Sequence, residues 1–194
     1  MEKFKKSKLI KKNIIVIEGP SGAGKDSIIA TLMANHPDTY EKITSITTRP
    51  MRPGEIDGVT YKFVSVDTFE EMLRSKEIFE FTQRHGTYRG MSKPLIDKII
   101  DNNRLAVKDC DLVGVRALKK TYPNKVLTIF IMAPKEVIEQ RIIARGDCDK
   151  DRARRLVDYD NTIKSRQYFD FVVDNVGTLD EVSIKVHDII WNNN

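Results

Sequence analysis

The run Gly19-Pro20-Ser21-Gly22-Ala23-Gly24-Lys25 constrains this chain more than any other. It fits GxxxxGK, and its surroundings fit too. The residues before it, NIIVIE at 13–18, form a compact apolar run rich in β-branched side chains. That run reads as a strand buried on both faces, as in a parallel sheet. A helix is expected after it, from about Lys25 to Asn35. Strand, glycine loop and helix in that order give the motif its physical meaning. The glycines let the backbone curl so that successive N–H groups point at phosphate oxygens. The helix N-terminus adds partial positive charge. Lys25 then reaches the β and γ phosphates as a mobile point charge. Residues 19–25 are therefore read as a triphosphate-binding loop.

The next residue departs from the motif. Ser or Thr is expected after the lysine as a Mg²⁺ ligand, but the chain has Asp26 and then Ser27. A carboxylate beside a polyphosphate is repulsive unless a metal lies between them. Mg²⁺ accepts carboxylate oxygen readily. Asp26 thus either takes the metal or points away as a first-turn acid favoured by the helix dipole.

The rest of the chain alternates strands and helices. Further strands are expected at 105–109, 126–132 and 171–173, with Lys108 interrupting the first of these. Helices are expected near 112–121, 135–145, 151–168 and 179–191. Such alternation argues for an α/β fold, a three-layer parallel sheet with right-handed crossovers. Residues 43–92 break the rhythm with short strand-like pieces around turn chemistry. They read as an inserted, mostly antiparallel lobe with one helix, for which Asp67 and Glu70 suggest a capping box. The expected organisation is a core of 13–42 and 93–194 interrupted by that lobe.

A chain of 194 residues suits one such domain with an insertion. The net charge of +5 hints at nucleic acid, but six lysines and one glutamate within residues 1–12 account for all of it. The basicity is a tail, read as a solvated leader, so no nucleic-acid partner is expected. No run of about 18 apolar residues exists to span a membrane, and no apolar stretch follows the leading lysines as a secretory signal would require. Cys110 and Cys148 fit neither a zinc pattern nor a disulfide framework, which suits a reducing cytoplasm. Trp191, His36, His85 and His187 belong to no visible constellation.

The segment Thr47-Thr48-Arg49 with Arg52-Pro53-Gly54-Glu55, Gly58 and Tyr61 reads as an anion receiver. Two guanidinium forks three residues apart across a Pro-bounded turn can clamp one phosphate bidentately, with the Tyr61 hydroxyl as a further donor. Taken with GPSGAGK, EIFE, YRG, DCD and the arginines at 141–155, it resembles the guanylate kinases, which pass the γ-phosphate of ATP to GMP. The resemblance runs from about Ile14 to Asn175. It implies ATP and Mg²⁺ as cofactors, with ATP on residues 19–27 (Gly19, Pro20, Ser21, Gly22, Ala23, Gly24, Lys25, Asp26, Ser27) and Asn175 near its adenine. It also implies that Arg49, Arg52 and Tyr61 hold the acceptor phosphate and that Ser45 and Glu80 read the guanine edge. A carboxylate accepting from guanine N1–H and N2–H suits that base.

Two positions depart from the family pattern. Tyr88-Arg89-Gly90-Met91-Ser92 has Arg89 where a second phosphate-binding tyrosine is usual, and Met91 where a hydroxyl usually touches the base. Arg89 supplies a third cation there, whereas Met91 cannot donate, so one base contact is lost unless Ser92 shifts in. Asp109 and Asp111 match an acidic pair at a strand end, where ligands bind in open parallel sheets. Asp109 is read as a Mg²⁺–water or lysine-orienting carboxylate, or else as a helix N-cap before Leu112. Asp111 is read as an acceptor contact or as the N-cap of the helix starting at Leu112. Arg141, Arg145 and either Arg154 or Arg155 flank residues 146–151, which resemble a lid over ATP. Lid arginines and Lys25 would meet the charge spreading over the transferring phosphoryl group.

The chain is therefore expected to be an enzyme, a guanylate kinase using GMP and also dGMP, acting in the cytoplasm as a monomer or homodimer. Two other readings stay open: a kinase of the same fold with another acceptor such as ribose 1,5-bisphosphate, and a non-catalytic guanylate-kinase-like binding module.

Overall fold

The computed structural model describes residues 12–84, 86–144 and 157–193. The expected tail at 1–11, His85, Cys148, the lid segment 146–151, and Arg145, Arg154 and Arg155 lie outside the described residues.

Five parallel strands form the main sheet. In chain order they are β1 (Ile14–Glu18), β2 (Tyr40–Lys42), β7 (Leu105–Asp109), β8 (Val126–Met132) and β9 (Phe171–Asp174), and in space β2-β7-β1-β8-β9. The central β1 is wholly buried, and its side chains alternate between two faces. Ile15 and Ile17 pack with Ile129 and Ile131 of β8 into one apolar cluster. That cluster is closed by α1 (Lys25–Asn35), α5 (Lys135–Ala144) and α7 (Leu179–Asn192), through residues such as Leu32, Ile138 and Val186. Ile14 and Val16 face the other way, with Ala106 and Phe130. There they meet α3 (Lys93–Asp101) and α4 (Leu112–Thr121) through Ile96, Ile99, Val115 and Leu118. Helices on both faces explain why β1 and β8 read as unbroken apolar runs. Each such side chain, fully buried, contributes roughly 1.5–3 kcal/mol.

A second sheet stands beside the C-terminal ends of these strands. It comprises β3 (Ile46–Thr47), β4 (Lys62–Phe63), β5 (Ile78–Arg84) and β6 (Thr87–Ser92), in the order β4-β3-β6-β5. β5 and β6 form an antiparallel hairpin, β3 joins β6 antiparallel, and β4 joins β3 in parallel. The helix α2 (Val66–Arg74) packs on it through Phe69, with Ile46 and Ile78, in a small core of its own. Gly90 lies under this contact: a Cβ there would come within 2.8 Å of Glu80 O and 3.1 Å of Phe69 Cζ. After α5, residues 157–163 are helical (α6) and pass into a 3₁₀ turn, Lys164–Tyr168.

Several local expectations change. The cap of α2 is Ser65, which accepts from Thr68 N at 3.1 Å, so Asp67 is a first-turn acid rather than part of a capping box. The helix begins two residues earlier than the Asp67–Glu70 spacing implied. A complete capping box does occur at α7, between Thr178 and Glu181. Lys108 does not interrupt β7: the strand runs through it, and its side chain is buried. β2 and α3 complete the core without a distinct sequence signal. Nor are His36 and His187 isolated. His36 and His187 stack with centroids 4.0 Å apart, Tyr40 and His187 share a 2.8 Å hydrogen bond, and Trp191 stacks on His187 at 6.0 Å.

Candidate active site

Strands β1, β7 and β8 end on the same edge of the main sheet, and the glycine loop leaves from the middle one. The loop curls as its residues dictate. Gly22 and Gly24 have φ of 88° and 93°, in the left-handed region that side chains disfavour. A Cβ on Gly24 would also lie 2.4 Å from Asn175 Nδ2. That close approach is used: Asn175, buried just beyond β9, donates from Nδ2 to Ala23 O at 2.6 Å. Asn175, expected near adenine, thus braces the loop itself. Together with Gly24, Ser27, Arg141 and Leu179 it also lines a cavity of about 340 Å³ beside α1. Arg141 on α5 donates to Gly22 O at 3.2 Å, which brings a cation to the loop. Lys25 Nζ donates to Gly19 O at 2.6 Å and Pro20 O at 3.0 Å.

Glu18, the last residue of β1, went unread in the sequence. It is 8% exposed, and its Oε2 has no hydrogen-bond partner among the described residues. Burial first, then the charge of Asp111, pushes its carboxyl up to about 7, while Lys25 opposes the shift. The signal for it was a charged residue closing an otherwise apolar strand.

The acceptor side faces this edge. Arg49, Arg52, Tyr61, Tyr88 and Arg89 line a cavity of about 460 Å³, so the motif cations do converge. Arg49 and Arg89 lie over the Tyr61 ring, each 5.1 Å from its centroid. Glu55 holds the arrangement. Its carboxylate takes Arg49 in a fork, Nη1 at 2.8 Å and Nη2 at 2.5 Å, and also accepts from Arg52 N at 2.8 Å. The hydrogen bonds from Arg49, chiefly, push the Glu55 carboxyl down to about 2. Arg49 is therefore fixed by an ion pair within its own motif, a job for Glu55 that the motif spacing did not specify.

A second cavity of about 230 Å³ adjoins the first and shares Thr82, Arg89 and Asp111 with it. Ser45, Glu80, Gly90, Met91, Lys108 and Asp109 line it. Glu80, on the bulged start of β5, has its carboxyl raised by burial first and then by Asp111. Met91 faces this cavity. Ser92 does not line it: it is one residue further along β6, is 1% exposed and is the N-cap of α3. Alternation along the strand is the reason, so Ser92 does not supply the missing hydroxyl. Asp111 caps α4, accepting from Val113 N and Gly114 N at 3.1 Å each, and it also lines both of these cavities.

Asp26 is exposed in the first turn of α1 and turns toward the acceptor side. There it lines a cavity of about 160 Å³ together with Asp109, Ser45, Tyr61 and Lys108. No group of three or more carboxylate, histidine or cysteine side chains forms a ready metal site among the described residues. None of their helices is long and apolar enough to cross a membrane.

A phosphate loop at the middle of a parallel sheet, facing arginine-lined and carboxylate-lined cavities on an inserted sheet, defines a phosphate-loop kinase with an acceptor lobe. Comparison with known proteins narrows the class. The guanylate kinase family model matches residues 11–193, and the chain belongs to the guanylate kinase family. It is 39% identical over 165 residues to a guanylate kinase of Chlamydia trachomatis, covering 84% of this chain and 79% of that protein. It is 36% identical over 164 residues to one of Symbiobacterium thermophilum, covering 84% and 77%. The crystal structure of guanylate kinase from Anaplasma phagocytophilum superposes with a TM-score of 0.68 at 25% identity, over 93% of this chain and 85% of that one. The SH3-kinase fragment of tight junction protein 3 shares the fold alone, at 14% identity and a TM-score of 0.53.

Proposed function

We propose that this chain transfers the γ-phosphate of ATP to GMP, and to dGMP, giving ADP and GDP. The observation that carries the reading is the pair of joined acceptor cavities beside an intact phosphate loop. One holds three arginines, and the other a half-buried carboxylate opposite buried donors. The first suits a phosphate and the second a guanine edge. Family membership points the same way. In this reading the core of 13–42 and 93–194 holds ATP, the lobe of 43–92 holds the acceptor, and both are small cytoplasmic metabolites.

Lys25 and Arg141 would meet the charge on the transferring group, joined by Arg145 and by Arg154 or Arg155. Arg49, Arg52, Tyr61 and Arg89 would hold the acceptor phosphate, with Gly90 and Asp111 beside it. Mg²⁺ fits the chemistry present: Asp26 and Asp109 face one cavity, and this ion is commonly held by one or two carboxylates plus phosphate oxygens. When bound it would neutralise phosphate charge. The chain's own residues orient the two phosphates toward each other and exclude water from the space between.

An ADP-release assay with GMP, dGMP, AMP, UMP and ribose 1,5-bisphosphate tests the proposal. Turnover with GMP and dGMP is expected. Turnover with the bisphosphate and none with GMP would overturn it, as would nucleotide binding without turnover of any acceptor. Lys25→Ala should lower the rate on the order of a hundredfold or more while GMP still binds. Asp26→Ser should shift the Mg²⁺ concentration for half-maximal rate; an unchanged dependence removes Asp26 from metal binding.

A further inference from the structure

Lys108 is a charged side chain placed where a strand should be apolar. It is 4% exposed on β7, on the face that carries Ala106. Nothing in the glycine loop or the arginine cavity uses it. Its ammonium donates to Ser45 Oγ at 2.6 Å and to Ile43 O at 3.3 Å. An ammonium has three donors. Those two bonds leave a third N–H on a group that lines the carboxylate-bearing cavity.

The bond to Ser45 has a consequence. Ser45 Oγ accepts from Lys108, so its own hydroxyl hydrogen is left to donate elsewhere. No acceptor for it is found among the described residues. Lys108 and Ser45 therefore each bring a donor to the cavity that also holds the carboxylate of Glu80, with Thr82, Arg89, Asp109 and Asp111 in the same lining. No ion pair joins Lys108 to Glu80 among the described residues, and the Lys108 charge only opposes the rise that burial and Asp111 impose on the Glu80 carboxyl. Holding a buried charge with one donor unused is unfavourable unless a ligand completes it.

We propose that Lys108 is a base-reading residue that donates to the carbonyl oxygen at position 6 of the acceptor purine, with Ser45 as a second donor, while Glu80 takes the N1–H and the 2-amino group. The idea rests on the GMP reading above and goes beyond it by naming the selecting group. It also explains how the site dispenses with a hydroxyl at Met91, which is 3% exposed in the same cavity and cannot donate. Adenine would turn its 6-amino donor toward an ammonium, so the arrangement selects against it.

The test is the acceptor affinity of Lys108→Met, an unbranched apolar replacement that fits a buried strand position. GMP and IMP both carry the 6-oxygen and should each bind on the order of tenfold to a hundredfold more weakly than to the unmodified chain. The fluorescent 2-aminopurine riboside 5′-monophosphate lacks that oxygen and should change by less than about threefold. Adding Met91→Thr to that variant restores a hydroxyl to the cavity and should recover part of the GMP affinity. Equal weakening for all three ligands would mean that Lys108 does not read the 6-oxygen and would overturn the proposal, as would no weakening for GMP. A measurement on the unmodified chain covers a variant that does not fold: in an infrared difference spectrum with 6-¹⁸O-labelled GMP, the carbonyl stretch should move to lower frequency on binding. An unmoved band overturns the proposal. If the unmodified chain does not bind GMP at all, the functional reading fails first and this one with it.

Discussion

Single residues set the charge arrangement of the site. Glu55 illustrates this: it neutralises an arginine meant for phosphate, yet it also fixes where that arginine lies. Its carboxyl is held near 2 by Arg49, so it stays ionised across the working pH range. We expect Glu55→Gln to raise the KM for GMP about tenfold with little change in the KM for ATP, since a charge-assisted fork is exchanged for a neutral contact. Steady-state kinetics on both substrates check this, and an unchanged KM for GMP would mean that the loop alone positions Arg49. Glu55 was visible in the motif, but its role was not, because spacing does not say which of two arginines a carboxylate will choose. Lys108 and Glu18 were visible as charges in apolar strands, yet only packing shows that both are buried and that Lys108 lines a cavity.

At the scale of elements, the last helix is tied to the body by an aromatic group the sequence left scattered. His187 on α7 shares a hydrogen bond with Tyr40 on β2 and stacks on His36 past the end of α1. Burial first, then His36, lowers the His187 pKa below its ordinary 6.5, with Asp188 opposing. The folded chain therefore binds fewer protons at this site than the unfolded one. The stability it contributes is fully present above about pH 6.5 and is lost as pH falls toward the depressed value. Compared with His187→Gln, the wild-type chain should lose more thermal stability between pH 7.5 and 5.5. Parallel slopes in melting experiments would deny the latch a titrating role. The comparison with a variant is needed because Glu18 and Glu80, with raised pKa values, act in the opposite sense. The main-sheet strands β1, β7, β8 and β9 and the helices α1, α4, α5 and α7 were legible from period, α1 and α4 to the residue, whereas α3 was not. β2 was not, since its three residues show no alternation and earn their place by pairing with β7.

For the whole molecule, the site exists only where the two sheets meet. ATP should dock on the edge of the parallel sheet and GMP on the inserted one, so each ligand stabilises the fold by mass action. At a hundredfold excess over its Kd, each should add about 2.7 kcal/mol. For a chain of this length that is about 5–11 °C of melting temperature per ligand. Lys25→Ala should lose the ATP increment and keep the GMP increment in calorimetry. Loss of both would mean that the lobe does not bind its ligand independently of the loop.

The sequence by itself determined the phosphate loop, the parallel α/β core and the arginine-bearing insertion. Each is encoded locally: by glycine spacing before a lysine, by apolar runs of fixed period, and by turn residues between two guanidinium groups. The tertiary structure decided what those pieces face. Asn175 lies 152 residues from the loop carbonyl it holds, and Lys108 lies 63 from the serine it bonds. Such pairs are set by the crossover of strands and the packing of two sheets. No local pattern in the chain records them.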